Sequence, residues 1–253
     1  TPRLYKSNPN LEIRLACVED SVANTGFRKI SAYIKSIHQN TKIAYVPTFC
    51  KGSWVNKILR RTKINFGDNN IHLTAQWMAK GDIAAFCSMT QSSSNVYKII
   101  DEVRRLNPNS YIMWGGIHAI VEPEDAIKHA DAVCTGEGEF AFKTFLELFK
   151  KGEDYTTAPS FWFNKDNKII KNRNLPLMSS KNMDELPPLT YEDGELIFHR
   201  DKGFKPLNAT NIIDYQELSY ATVWSIGCPL HCTYCANTKF IEYDNAYRRL
   251  RHP

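Results

Sequence analysis

The sequence predicts an α/β fold built on a doubly wound parallel sheet. Three observations carry that prediction. Short apolar runs recur through the first 150 residues, amphipathic helical periods separate them, and turn or polar residues bound each run. Strands covered on both faces read as continuous apolar stretches rather than alternating ones, and alternation with helices favours parallel pairing.

Five segments read as such strands. They are EIRLACV (12–18), KIAYV (42–46), DIAAFCS (82–88), SYIMW (110–114) and DAVCT (131–135). Between them, Ile30, Tyr33, Ile34 and Ile37 share one helical face, and Val96, Ile99, Ile100, Val103 and Leu106 share another. Phe142, Phe145, Leu146 and Phe149 make a third face, closed by Gly152. Ser53 is a candidate cap for WVNKILRR, and Gly81 a candidate stop after LTAQWMAK. The expected domain is flavodoxin/Rossmann-like and spans residues 10–152. Ligands of such domains bind at the carboxyl ends of the strands, near the switch in strand order. The loops to watch are therefore EDSVANTG (19–26), SMTQSSS (88–94), GGIHA (115–119) and GEGE (136–139).

After residue 152 the pattern changes. PSFWFNKDNKIIKN (159–172) reads as a β-hairpin around Asn164–Asn167, and the Pro-rich, acidic DELPPLTYEDG (184–194) as linker. Residues 153–218 are taken together as a hairpin and linker region. YATVWSIG (220–227) then reads as a strand leading into a further domain over 219–253.

The chain has 253 residues, 43% hydrophobic and 23% charged, and a net charge of +5. No apolar run of about eighteen residues appears, so no membrane span is expected. Lys and Arg are scattered, so nucleic acid is not an expected partner. Seven cysteines without a secretory signal favour free thiols or metal ligands in a reducing, cytoplasmic setting. Cys17, Cys50, Cys87 and Cys134 lie in or beside apolar strands and read as core residues, as do Met113 and Trp114.

The other three thiols, Cys228, Cys232 and Cys235, stand at the spacing Cys-x3-Cys-x2-Cys. Three thiolates need a fourth ligand from elsewhere to close a zinc site, and His231 or a distant cysteine remains open for that role. They suffice to hold three irons of a cubane 4Fe–4S cluster, leaving the fourth iron open.

SIGCPLHCTYC (225–235) resembles the signature of the radical SAM superfamily, with an aromatic residue just before the last cysteine. The resemblance implies a 4Fe–4S cluster on Cys228, Cys232 and Cys235. It also implies S-adenosyl-L-methionine on the open iron, with Tyr234 beside its adenine. One electron from an external reductant such as flavodoxin or ferredoxin would then release a 5′-deoxyadenosyl radical. In that superfamily the cluster loop follows the first strand of a TIM-like barrel. Only 18 residues follow Cys235, so the barrel is expected to be incomplete here. YRRLRHP (247–253) resembles the Arg-rich stretch before the first barrel helix.

The sheet ahead of this motif resembles the cobalamin-binding radical SAM class, which gives the N-terminal domain a B12-binding type. The resemblance is strongest in MWGGIHAIVEPEDAIKHADAVCTGEGEFAFKTFLEL (113–148). Its Gly115, Gly116, His118, Pro123, Asp131, Gly136, Glu137, Gly138 and Glu139 fit the pattern of that class. The implied cobalamin contacts are Ser88, Thr90, Gly115, Gly116, His118, Gly136, Glu137, Gly138 and Glu139. Physically, glycines remove the Cβ where a bulky ligand approaches, and hydroxyls at Ser88, Thr90, Ser92 and Ser93 can meet its amides. Each element alone also reads as an ordinary turn, loop or helix start. EDSVANTG has Asp20 and Gly26 but no histidine, so a lower axial His is not expected.

The function implied is methyl transfer to an unactivated carbon by a cobalamin-dependent radical SAM enzyme. The alternatives are a radical cyclase or ring-rearranging enzyme, a radical SAM methylthiotransferase, or a non-catalytic corrinoid or Fe–S binding module. The substrate is a small molecule or peptide, and no catalytic side chain can be named.

Overall fold

Alternation along β1 (Ile13–Cys17) sends Ile13, Leu15 and Cys17 into one apolar core and Ala16 into another, on the opposite face of a sheet. Every residue of the strand is buried. This double burial is why the strand reads as a continuous apolar run. The computed structural model describes residues 8–48, 66–188, 194–216, 223, 225–230, 232–243 and 245–250.

The remaining expected strands form close to their predicted bounds: β2 (Thr41–Tyr45), β3 (Ile83–Cys87), β4 (Tyr111–Gly115) and β5 (Ala132–Cys134). They run parallel in the order β5-β4-β3-β1-β2, so strand order reverses at β1. Helices α1 (Thr25–Ile37), α2 (Asp68–Met78) and α3 (Ser93–Leu106) connect them, with two short helices, α4 (Ile117–Val121) and α5 (Pro123–Ala126), ahead of β5. Helix α6 (Glu139–Lys151) follows β5 and shares with α1 the core containing Phe27, Ile34, Phe142, Phe145 and Phe149. The opposite core holds Ile71 and Met78 of α2 and Val96, Ile99, Ile100 and Val103 of α3.

The helix signals divide. Asn24 caps α1 by accepting from the Phe27 N–H at 2.7 Å. Gly152 ends α6 in the left-handed conformation, φ 71°, as expected. Helix α2 stops at Met78, earlier than Gly81 suggested; the Gly81 N–H closes on the Met78 carbonyl at 3.0 Å. Leu106 is exposed rather than buried. Ser53 with its helix, Cys50, His231 and half of the strand expected at 220–227 lie outside the described residues.

The hairpin forms as β6 (Phe161–Lys165) and β7 (Lys168–Lys171). Its two-residue turn is Asp166–Asn167, with φ of 52° and 61°, the conformation that suits a tight hairpin. The strands add antiparallel to β5, so the hairpin belongs to the sheet. A second hairpin was not expected. β8 (Leu196–His199) pairs parallel with β2, and β9 (Gly203–Pro206) pairs antiparallel with β8, completing a nine-stranded sheet. Buried Arg28 of α1 anchors this edge, its guanidinium 2.9 Å from the Glu195 carboxylate and over the Tyr45 ring.

Three further helices are α7 (Ser180–Asp184), α8 (Ala209–Gln216) and α9 (Asn237–Tyr243). Among the described residues, no helix is long and apolar enough to cross a membrane.

Candidate functional site at the carboxyl ends of the strands

The turn after β4 is dictated by Gly116. Its φ is +88°, and a Cβ there would lie 2.8 Å from Cys87 Sγ and 3.0 Å from the Ser88 backbone N and O. Only glycine permits both the conformation and the contact. The loop ends of β3 and β4 are then laced together. The Ser88 N–H donates to the Gly115 carbonyl at 3.4 Å, and the His118 N–H donates to the Ser88 carbonyl at 3.1 Å.

Gly115 differs. It is not among the positive-φ glycines, and a Cβ there would meet only Cys134 Cβ, at 3.8 Å. Backbone conformation and packing thus tolerate a Cβ at Gly115. What its absence preserves is an apolar cavity of about 70 Å³ between the sheet and helices α1 and α6. Its lining includes Ile30, Cys87, Gly115, Gly116, Gly138 and Phe142.

His118 is buried and holds the loop from beneath. Its Nδ1 lies 3.4 Å from Thr90 Oγ1 and its Nε2 lies 3.1 Å from the Tyr97 hydroxyl, which in turn bonds Asp125. The Tyr97 hydroxyl donates to the carboxylate, so it accepts from His118 Nε2–H; Nδ1 then accepts from Thr90. This chain suits a neutral imidazole. Desolvation lowers the His118 pKa, against the opposing pull of Asp125 and Glu122. Unfolded His118 protonates near its ordinary value of about 6.5, while the folded ring resists until lower pH. The unfolded state therefore binds more protons in that window, and stability falls as pH drops below about 6.5. The His118→Gln variant is expected to flatten that part of the stability profile, measured as urea midpoints from pH 7.5 to 5. An unchanged slope contradicts the assignment.

The sequence-derived residues fall into groups. Ser88, Thr90, Gly115, Gly116 and His118 come together at the ends of β3 and β4. Ser88 is buried, and its hydroxyl accepts from Trp114 Nε1 at 3.1 Å, so Trp114 is core and also positions the loop. Ser92 is buried with its hydroxyl unpartnered. Gly138 joins the group through the cavity. Gly136 and Glu137 face the 174–178 segment instead: a Cβ on Gly136 would crowd Asn174 and Ser160, and Glu137 accepts from the Met178 N–H at 2.6 Å. Glu139 is buried at the start of α6, and desolvation raises its pKa.

Three site features escaped the sequence. Cys87 and Cys134 line the cavity rather than merely filling core, and burial pushes the Cys134 thiol up to about 12. Cys17 and Cys87 stand side by side at the ends of β1 and β3, a pairing that needs the register. The third is the place of the cysteine loop. Helix α9, which follows Cys235, lies beside α4, the helix carrying His118.

That loop is tightly built. Gly227 has φ +106°, and the Cys228 N–H donates to the Tyr247 carbonyl at 3.1 Å. Thr238 Oγ1 donates to the Cys232 carbonyl at 2.9 Å. Cys228, Cys232 and Cys235 are free and half-buried, and Tyr234 is 91% exposed. Arg248 and Arg249 are exposed, and Arg251 lies outside the described residues.

Residues 28–146, the segment that builds this site, match the B12 binding domain family. The chain thus contains a segment similar to B12-binding domains. It is related to cobalamin-dependent radical SAM methyltransferases and spans about 33% of the length of the curated relatives it matches. An uncharacterized methyltransferase of Pyrococcus horikoshii is 24% identical over 170 residues, which is 66% of this chain and 33% of that protein. The bacteriochlorophyllide d C-8(2)-methyltransferase of Chlorobaculum tepidum is 23% identical over 177 residues, covering 70% of this chain and 33% of that protein. Among solved structures, the radical S-adenosylmethionine methyltransferase TsrM from Kitasatospora setae, with cobalamin and a 4Fe–4S cluster bound, matches with a TM-score of 0.63. The identity is 14%, over 96% of this chain and 44% of that one, so this likeness speaks for the fold. The doubly wound α/β architecture of the B12-binding domain is thus established. In the loop after β1, Asp20 accepts from the Thr48 N–H at 3.0 Å.

Proposed function

We propose that this chain binds cobalamin at the carboxyl end of its sheet and holds a 4Fe–4S cluster on Cys228, Cys232 and Cys235. It would thereby form the cofactor-bearing part of an S-adenosylmethionine-dependent methyl transfer. One juxtaposition supports this reading: the cysteine loop leads into a helix lying beside the Gly-Gly-x-His loop. The strand ends leave a place for part of cobalamin: an apolar cavity of about 70 Å³ lies where Gly115 carries no Cβ, and the much larger corrin ring would lie outside it, against the loop ends.

In this reading Gly115 leaves room for the ligand, while Gly116 and Gly138 let the chain itself pass close to Cys87, Ser88 and Ile30. Thr90 presents its hydroxyl, Ser88 holds the loop through Trp114, and His118 positions Thr90 without touching the ligand. When bound, cobalamin supplies a methyl carrier, and S-adenosylmethionine at an iron–sulfur cluster supplies a carbon radical. The chain's own residues would place the two groups at one end of the sheet. Tyr234, exposed beside the cluster loop, would cover the adenine. The substrate would be a small molecule or peptide, and electrons would come from an external one-electron donor.

The test reconstitutes the chain anaerobically with iron, sulfide and hydroxocobalamin, then measures what survives gel filtration. The wild type should retain corrinoid and about four irons. Gly115→Val should weaken corrinoid binding by at least about ten-fold while still unfolding cooperatively in urea. The Cys228/Cys232/Cys235→Ala triple variant should lose the iron and keep the corrinoid. A wild type free of corrinoid, or a Gly115→Val variant that binds equally well, refutes the cobalamin site.

A further inference from the structure

We propose that Cys17, Glu19 and Cys87 form a binding site for one thiophilic divalent cation of the zinc class, at the carboxyl ends of β1 and β3. Their two sulfurs and a carboxylate oxygen all lie within 4.8 Å of one another, the one such three-donor group among the described residues. Zinc at about 2.3 Å from sulfur and 2.0–2.2 Å from oxygen needs tetrahedral donor separations of about 3.6–3.8 Å. The 3.0 Å between Cys17 Sγ and the Glu19 carboxylate would open to that spacing on binding, and a further ligand such as water would fill the fourth position.

The donors are held by the fold. Cys17 and Cys87 are register partners on adjacent parallel strands, so their side chains leave the same face at the same height. Glu19 returns across the end of β1, its carboxylate 3.0 Å from Cys17 Sγ. Asn24 fixes that carboxylate through its amide nitrogen while its oxygen caps α1. Cys17 is 0% and Glu19 is 5% exposed.

The chemistry of the set points the same way. Burying a carboxylate is costly unless a cation compensates it. The Glu19 partners among the described residues are a thiol and an amide, and neither is a cation. Two thiolates with one carboxylate select a borderline-soft metal over magnesium or calcium. As each sulfur–metal bond forms, that thiol releases its proton to solvent, with no change in oxidation state.

This proposal does not rest on the cobalamin reading, and its test omits corrinoid. The background is the full chain carrying the Cys50/Cys134/Cys228/Cys232/Cys235→Ala substitutions, which leaves Cys17 and Cys87 as its thiols. Cobalt(II) chloride is titrated under nitrogen. The expected result is about one cobalt per chain, with thiolate-to-cobalt charge-transfer absorption that zinc chloride abolishes. Cys17→Ser and Cys87→Ser should each remove the absorption, and Glu19→Gln should weaken binding at least about ten-fold. X-ray absorption of the zinc form, which needs none of these three variants, should give two sulfur ligands with the rest oxygen. Absence of the band, a band indifferent to Cys17→Ser and Cys87→Ser, or a sulfur-free zinc shell overturns the proposal.

Discussion

Gly227→Ala is expected to dismantle the cysteine loop. A Cβ at this position would stand 2.2 Å from the Arg249 carbonyl oxygen and 3.1 Å from the Tyr247 carbonyl oxygen. Both obstacles are backbone, so no side-chain rotation relieves the overlap. The φ of +106° adds conformational strain of order 1–3 kcal/mol for a residue with a side chain. The loop must therefore release the 245–250 arc, and the Cys228 N–H loses its carbonyl partner. In reconstitution, iron is expected to fall from about four per chain to background, with corrinoid retention unchanged, because the sheet is untouched. Proteolytic nicking between residues 227 and 250 should rise in parallel. Wild-type iron in this variant would mean the loop's fit against the arc is immaterial to the cluster.

Glu195→Gln is expected to cost about 3–5 kcal/mol of stability, the range for removing one partner of a buried ion pair. The side chains of Arg28 and Glu195 are 1% and 4% exposed, so water cannot take over the lost charge. Arg28 also donates through Nε to the Val22 carbonyl at 2.8 Å and lies over the Tyr45 ring, so it cannot swing out to solvent cheaply. The double variant Arg28→Met/Glu195→Leu should recover much of the loss, since neither charge then stays buried alone. Urea denaturation measures both. A Glu195→Gln cost under about 1 kcal/mol would place the pair in the class of surface salt bridges.

How far the sequence could be read follows from what each element depends on. β1 to β5 were legible because a strand covered on both faces must be apolar throughout, and that shows locally. β8 and β9 were not. LIFH and GFKP are four residues each, and β8 owes its place to β2, about 150 residues earlier. The Gly-Gly-x-His loop could be picked out because glycine leaves a visible trace where backbone must pass close. The role of Ser88 as acceptor for Trp114 could not, because it needs both strands in register. For the same reason Cys17 and Cys87 read as two ordinary core residues. Their proximity is a property of the parallel pairing, not of either segment. The nearness of the cysteine loop to α4 is likewise a tertiary fact with no local signature.

The pairing of β2 with β8 has a consequence for biosynthesis. Arg28 and Glu195 are 167 residues apart. At a synthesis rate of 5–20 residues per second, the partner of Arg28 emerges roughly 8–30 s after it. Through that interval β1 to β5 can assemble on the ribosome, but β2 remains an open edge with a charged side chain waiting beside it. The half-made sheet is thus a species that chaperones or neighbouring nascent chains can meet, and its exposure ends only when the chain beyond residue 195 arrives.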